Sequence, residues 1–275
     1  MEKLNITDAL TDMLTRAAVA DEDWVDEDGI LICGNCGEPK ETKVNILGTE
    51  TIVQCMCRCQ EDAYIAKEKN FRDSQRKMRA QQLRNDGIRD GRLRECRFDT
   101  ATDSIYIQKC RQFTEHWDEI REGNTGLLLY GDVGTGKTYA AACIANELLD
   151  RGIPVLMTSF PEILNTPKND ISKLAAEAQT YDLVIVDDLG AERDTEYATE
   201  VVYYFVDARY RSGKPMIVTT NLTPTDMQNQ RDTRFRRIYD RILEMCIPFK
   251  MSGGSYRSVR REEKASLLRE IINGK

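Results

Sequence analysis

An octapeptide in the middle of the chain carries the clearest chemistry in the sequence. Residues 131–138 read GDVGTGKT, which fits the pattern G-x-x-x-x-G-K-[ST]. Glycines let backbone N–H groups converge on phosphates, the lysine reaches the outer phosphates, and the final hydroxyl takes a place on Mg²⁺. The segment therefore predicts a site for a nucleoside triphosphate. Its candidate residues are Gly131, Asp132, Val133, Gly134, Thr135, Gly136, Lys137 and Thr138, with the adjoining Tyr139.

Two adjacent carboxylates follow an apolar run farther along the chain. Residues 183–186 read LVIV and precede Asp187 and Asp188. A continuous β-branched run of this kind is typical of a strand buried on both faces. We expect Asp187 to hold Mg²⁺ and Asp188 to polarise the attacking water. A second apolar run, residues 216–220, is followed by Asn221, whose amide is suited to hold the same water.

These side chains need a scaffold that brings the ends of separate strands together. Short apolar runs at residues 126–130, 154–158, 183–186 and 216–220 alternate with helix-length segments. The alternation predicts an α/β fold, with a central parallel sheet flanked by helices. The phosphate loop would follow the first run and precede a helix over residues 140–149, whose N-terminus attracts anions.

Three arginines downstream are candidates for contacting the transferred phosphate. Arg237 and Arg241 lie four residues apart, so they would share one helix face. Arg257 follows a pair of glycines at residues 253–254. A guanidinium that neutralises transition-state charge recurs in phosphoryl transfer, supplied by the same chain or by a partner. A solvated surface charge is the alternative interpretation of each.

A cysteine cluster is the second chemical feature. Five of the nine cysteines lie within residues 33–59, as a C-x-x-C pair and a later C-x-C-x-C run. Thiolates at this spacing favour a tetrahedral metal site, and their softness favours Zn²⁺. An iron–sulfur cluster and buried free thiols are the alternatives. Strand-like residues 43–47 and 50–54 predict a hairpin between the two halves. The candidate ligands are Cys33, Cys36, Cys55, Cys57 and Cys59.

Charge divides the chain into three parts. Residues 1–66 have 5 Lys/Arg and 14 Asp/Glu, residues 67–97 have 11 and 5, and the remainder has 23 and 27. We expect an N-terminal helix and cysteine-rich module over 1–66, a basic helical linker over 67–97, and a nucleotide-binding domain over 98–275. The basic linker is compatible both with a solvated helix and with a nucleic-acid contact.

Composition excludes several classes of protein. The net charge of −7 argues against a protein that coats nucleic acid by bulk electrostatics. The apolar runs are far shorter than the ~20 residues that a membrane span requires. The first residues lack the basic stretch and apolar core of a secretory signal. We therefore expect a cytoplasmic protein with no membrane contact, whose cysteines are not disulfide-paired.

Taken together, the motifs resemble those of AAA+ ATPases of the DnaC/DnaI/IstB group. GDVGTGKT, LVIVDDLG, TTNL and GGSYR occur in the order typical of that group, within residues 98–260. The resemblance implies a P-loop ATPase core that binds ATP and Mg²⁺, oligomerises, and completes each site with a residue of the neighbouring subunit. The sequence departs from the pattern of many AAA+ proteins, because it has Asp-Asp rather than Asp-Glu after the buried strand.

The resemblance also assigns roles to individual residues. It implies that the Mg²⁺ ligands are Thr138 and Asp187. The implied motifs are Walker A at Lys137 and Thr138, Walker B at Asp187 and Asp188, sensor 1 at Asn221, the arginine finger at Arg241 with Arg237 as second choice, and sensor 2 at Arg257.

The resemblance further implies a function. In the loader branch of the group, an N-terminal C-x-x-C followed by C-x-C recurs, which matches Cys33, Cys36, Cys57 and Cys59 and leaves Cys55 as an alternate. It implies an ATP-dependent loader of a replicative hexameric DNA helicase. A zinc module would bind the helicase, and the ATPase domain would oligomerise and contact single-stranded DNA. The alternatives are an IstB-like transposition helper that binds duplex DNA, and an ATP-sensing adaptor with negligible turnover.

Overall fold

The computed structural model describes residues 17–46, 48–190 and 196–254, with a few separate positions between 262 and 272. The chain divides into two compact units, Met1–Gln75 and Arg76–Lys275. The helix predicted near the start of the chain falls mainly on residues outside the described ones. In the part of the chain that the structure describes, no helix combines the length and apolar composition needed to cross a bilayer.

Two small antiparallel hairpins lie in the first unit. Strand β1 (Trp24–Val25) pairs with β2 (Leu31–Ile32), and β3 (Glu41–Ile46) pairs with β4 (Thr49–Gln54). The second hairpin is the one that the sequence predicts around Gly48. That residue has a φ of 88°, in the left-handed region that glycine enters without a steric penalty.

Helix α1 (Arg58–Gly87) contains most of the predicted basic linker. Its charged composition leaves few buried positions, which are Ala80, Arg84 and Gly87. The helix ends within the Asn-Asp-Gly sequence that favours an interruption, and a 3₁₀ turn (Gly91–Glu95) follows it.

The second unit is built on a five-stranded parallel sheet. The four strands predicted from the apolar runs of the sequence are confirmed. The helix predicted after the first of these runs is confirmed as well. The remaining elements are α2 (Ile105–Glu115), α3 (Trp117–Glu122), β5 (Gly126–Tyr130), α4 (Lys137–Asp150), β6 (Val155–Ser159), α5 (Phe160–Leu164), α6 (Ile171–Thr180), β7 (Leu183–Leu189), α7 (Glu196–Arg211), β8 (Met216–Thr220), α8 (Pro224–Gln228), α9 (Thr233–Met245) and β9 (Cys246–Lys250).

The strand order is β6-β7-β8-β5-β9, and helices cover both faces of the sheet. Successive strand residues point to opposite faces, so each strand contributes to two cores. Leu128 and Val184 pack with α7 and α9, whereas Leu129 and Ile185 pack with α4. Burial on both faces explains the continuous apolar runs. Because the strands are parallel, β5, β7 and β8 end side by side at one edge of the sheet.

Strand β9 is not among the strands predicted from the sequence. Its Pro248 lies opposite Leu128 of β5 in the parallel register. Proline has no N–H to donate, so a central strand excludes it but an edge strand tolerates it. Ile247 is also exposed, which removes the apolar signal of a buried strand. At the other edge of the sheet, Ile88 forms an isolated parallel bridge with Met157 of β6.

Candidate functional site

The phosphate-loop sequence folds into a tight turn between β5 and α4. Gly131 has a φ of 145°, and a Cβ there would lie 2.1 Å from the carbonyl oxygen of Met251. Gly134 and Gly136 have φ values of 88° and 92°, and Gly136 is the N-terminal cap of α4. Side chains at these positions would strain the backbone, so the glycines are required by geometry. The loop therefore leads directly into a helix N-terminus, which favours bound anions.

Lys137 is buried at the first position of α4, with 8% of its surface exposed. Its ammonium group donates to the carbonyl oxygens of Gly131 and Asp132, both at 2.8 Å. It also donates to the Asn221 side-chain oxygen at 2.9 Å. The structure thus brings together the lysine of the phosphate loop and the amide that follows β8, as the sequence predicts.

Thr138 and Asp187 are in direct contact. The Thr138 hydroxyl donates to the Asp187 carboxylate, at 2.8 Å from Oδ1 and 3.1 Å from Oδ2. Burial raises the pKa of Asp187, and hydrogen bonds from Thr219 and Thr138 oppose that rise. A hydroxyl and a carboxylate at one sheet edge are oxygen donors of the kind that Mg²⁺ prefers. The donor set therefore fits the metal expected at this place.

Asp188 differs from its neighbour in both exposure and backbone. Its side chain is exposed, and its φ of 64° makes it one of two non-glycine residues with positive φ in the described part of the chain. Asp and Asn are the residues, apart from glycine, that best tolerate this conformation. The backbone N–H of Asp188 donates to the Thr219 hydroxyl at 3.0 Å. The two acids are thus separated into a half-buried carboxylate and an exposed one.

Thr219 is the residue of this site that the sequence analysis missed. Its hydroxyl donates to Asp187 Oδ1 and accepts the N–H of Asp188. Only 1% of the residue is exposed. A threonine inside a strand is ordinary, because β-branched residues are common in sheets. Its position in the sequence could have indicated this role, because Thr219 lies two residues before Asn221, on the strand that ends beside the two acids.

The remaining residues of the loop region are less closely involved. Thr135 donates its hydroxyl to the Asp132 carbonyl at 2.9 Å, which stabilises the turn. Val133 is exposed. The Tyr139 hydroxyl lies 3.2 Å from the carbonyl oxygen of Arg97, so it connects α4 to the segment that precedes α2.

The two candidate arginines among the four in α9, Arg237 and Arg241, have different surroundings. Arg241 Nη1 lies 2.5 Å from Asp207 Oδ1, and its guanidinium lies 4.6 Å and 5.5 Å from the ring centroids of Tyr203 and Tyr210. Arg241 is thus held by α7 of its own chain. Arg237, one turn earlier, is exposed. Arg257, the third predicted arginine, lies outside the described residues.

Four cysteines of the first unit form a second candidate site. The sulfur atoms of Cys33, Cys36, Cys57 and Cys59 all lie within 4.8 Å of one another. Around a tetrahedral zinc with bonds of about 2.3 Å, sulfur atoms lie roughly 3.8 Å apart. The four thiols therefore fit a zinc ion in both number and spacing. Cys55 lies outside the cluster, and its thiol lies 3.5 Å from the carbonyl oxygen of Pro39.

Hydrogen bonds favour the metal-binding thiolate form at one corner of this cluster. Backbone N–H groups of Cys59 and Glu38 donate to the Cys36 sulfur and lower its pKa to about 6. Hydrogen bonding to Cys36 and burial raise the pKa of Cys59 to about 11. Near the cluster, the buried Lys40 forms an ion pair with Asp23 at 2.6 Å. The hydrogen bond with Asp23 is the main cause that raises the pKa of Lys40, and Cys33 and Cys57 contribute less.

Known proteins resemble this chain over about half of its length. It is 27% identical over 166 residues to the replicative helicase loader DnaI of Bacillus subtilis (strain 168), covering 55% of this chain and 53% of that protein. It is 30% identical over 161 residues to the replicative helicase loader DnaC of Escherichia coli (strain K12), covering 55% of this chain and 63% of that protein. The chain thus spans less than two thirds of the length of either relative.

A solved structure and a family model agree with this resemblance. A crystal structure of DnaI matches 62% of this chain and 95% of its own, with a TM-score of 0.51 and 24% identity, which shows a shared fold. The family model described as IstB-like ATP binding protein matches residues 56–265, more than half of the chain. The chain therefore belongs to the family of IstB-like ATP binding proteins.

Proposed function

We propose that this protein is an ATPase that hydrolyses ATP, with Mg²⁺, at the edge of the sheet where β5, β7 and β8 end. The observation that carries the proposal is the convergence of two hydrogen-bonded pairs, Lys137 with Asn221 and Thr138 with Asp187. These pairs connect the phosphate loop, which follows β5, to the ends of β7 and β8. An ordinary glycine-rich turn does not require such an arrangement.

Each residue has a distinct task in this proposal. Lys137 exchanges its carbonyl contacts for the outer phosphates of ATP. Thr138 and Asp187 hold Mg²⁺, which, when bound, neutralises charge on the phosphate oxygens. The exposed carboxylate of Asp188 polarises the attacking water, and the amide of Asn221 orients that water.

A neighbouring copy of the chain supplies the remaining charge in this proposal. Phosphoryl transfer is commonly accelerated by a guanidinium from a partner subunit. The family resemblance implies that Arg241 is the arginine finger, but its contacts with Asp207, Tyr203 and Tyr210 hold it within its own chain. We therefore favour the exposed Arg237 as the residue that reaches the neighbour's phosphate, and we expect a homo-oligomer to be the active form.

We further propose that the ATPase loads a replicative hexameric helicase onto single-stranded DNA. Support comes from the names of the two relatives, both replicative helicase loaders, over 55% of this chain. In this proposal, residues 1–66 bind the helicase, residues 67–97 form the linker, and residues 98–275 form the ATPase. Zinc held by Cys33, Cys36, Cys57 and Cys59 would stabilise the first of these, since a module this small buries little apolar surface.

The family model keeps a second candidate open. Because its description is IstB-like, a transposition helper that binds duplex DNA is the alternative. Pull-down of the full chain with a purified hexameric replicative helicase, and separately with a transposase, distinguishes the two roles. An ATPase assay with and without single-stranded DNA tests the enzyme. We expect ATP turnover and helicase capture; nucleotide binding without turnover would instead indicate an ATP-sensing adaptor.

A further inference from the structure

We propose that Thr219 is a positioning residue, which fixes both the magnesium-binding carboxylate of Asp187 and the backbone of Asp188. The inference rests on the nucleotide site proposed above and adds a residue to it. Thr219 lies on β8, next to the strand that ends in the two acids, and does not belong to the phosphate loop.

An irregularity in the sheet creates the need for such a residue. Val186 lies opposite Val218, and Leu189 lies opposite Thr220, so a three-residue step on β7 faces a two-residue step on β8. The extra residue forms a bulge that contains the two acids. Bulges interrupt the ladder and change the direction of side chains, and they are frequent beside active sites.

The Thr219 hydroxyl replaces one hydrogen bond that the bulge removes from the ladder between β7 and β8. It accepts the N–H of Asp188 at 3.0 Å, in place of a backbone carbonyl. The same hydroxyl donates to Asp187 Oδ1, so its one proton is used on the carboxylate. A single oxygen atom thus holds the left-handed conformation of one acid and the orientation of the other.

Thr138 has a second role in the proposed nucleotide-bound site. Its hydroxyl also donates to Asp187, but it is itself a proposed metal ligand. Thr219 is therefore the hydroxyl donor to Asp187 that has no other proposed role. Partners that orient a metal ligand in this way typically change metal affinity or activity by about 10–100-fold when removed.

Thr219→Val tests the proposal, because valine keeps the shape of threonine and removes the hydroxyl. We would measure binding of a fluorescent ATP analogue as a function of Mg²⁺ concentration, and the kcat and KM of ATP hydrolysis. The expected results are a Mg²⁺ requirement raised by about tenfold and a lower kcat. Nucleotide affinity in EDTA should stay unchanged. Thr219→Ser should restore wild-type behaviour to within about twofold, because it restores the hydroxyl.

Thr158→Val is the matched control. Thr158 is buried on β6, and its hydroxyl donates to Glu162 rather than to either acid. The Thr158→Val variant should be less stable than the wild type, with an unchanged Mg²⁺ requirement. If Thr219→Val has the wild-type Mg²⁺ requirement and kcat, or if serine fails to restore them, the inference is wrong although ATP hydrolysis stands. If the wild-type chain shows no turnover but Thr219→Val still shifts the Mg²⁺ requirement, the inference holds and the proposed ATPase activity is wrong.

Discussion

The ammonium group of Lys137 donates a hydrogen bond to the side-chain oxygen of Asn221 at 2.9 Å, across 84 residues of sequence. The contact links the start of α4 to the end of β8. It supports the proposed placement of the amide beside the outer phosphates that the lysine would bind and the water that would attack them.

Replacing Asn221 with aspartate should weaken nucleotide binding. A carboxylate would hold Lys137 in a charge-assisted hydrogen bond and compete with phosphate, which we expect to lower ATP affinity by about tenfold. Asn221→Ala should leave affinity nearly unchanged and slow hydrolysis. Equilibrium binding and turnover assays on both variants check this. Equal affinities for the two variants would show that the contact does not matter for phosphate binding.

Asp188→Asn should separate binding from hydrolysis. Asparagine tolerates the left-handed backbone at this position as well as aspartate does, so the change removes the charge without adding strain. We expect Mg²⁺-ATP binding to persist while kcat falls by about 100-fold or more, as for other general bases. Normal hydrolysis by this variant would contradict the role assigned to Asp188.

Zinc binding should depend on the four clustered cysteines and not on Cys55. Elemental analysis is expected to find one zinc per chain, because four sulfur atoms lie within 4.8 Å of one another. Cys36→Ser should lose the metal and destabilise the first unit, since metal binding and folding of small modules are coupled. Cys55→Ser is the control and should keep the metal. Zinc near zero in carefully purified wild-type protein would exclude this site.

The two candidate arginines of α9, Arg237 and Arg241, should behave differently on mutation. Arg241→Ala removes an ion pair and two aromatic contacts, so it should cost about 1–2 kcal/mol of stability. Arg237→Ala should leave stability unchanged and abolish hydrolysis in the oligomer. Thermal unfolding and ATPase assays measure both effects.

A mixing experiment tests whether Arg237 acts on the neighbouring subunit. Arg237→Ala subunits retain an intact phosphate loop, and Lys137→Ala subunits retain the arginine. Mixing the two inactive proteins should therefore restore part of the activity. If only mixtures containing Arg241→Ala recover, then Arg241 is the residue that acts between subunits.

The local sequence was enough to predict the phosphate loop and four of the five strands of the parallel sheet. Burial on both faces of the sheet produces uninterrupted apolar runs, and the loop must have glycines where φ is positive. Strand β9 could not be predicted because it contains Pro248, which argues against a strand. Proline is acceptable there only because β9 is an edge strand, and that depends on the order of the strands in the sheet. Strand order is a property of the whole fold and is not encoded in a short segment.

Other features of the site depend on residues that are distant in sequence. Nothing around Asp188 indicates the bulge, which needs the register between β7 and β8. The contacts of Arg241 with Tyr203 and Tyr210 likewise need α7 and α9 to pack together. The spacing of the cysteines alone leaves five candidates for four positions. The family resemblance implies that Cys55 is the alternate, and the structure places it outside the cluster of four.

Titration of the wild-type chain and of Lys137→Ala with ATP, in the presence of Mg²⁺, tests whether the phosphate loop binds nucleotide. We expect one ATP bound per wild-type chain, and no measurable binding after Lys137→Ala in a protein that remains folded. Wild-type protein that binds neither ATP nor ADP, or a Lys137→Ala variant that binds as tightly as wild type, would contradict this expectation.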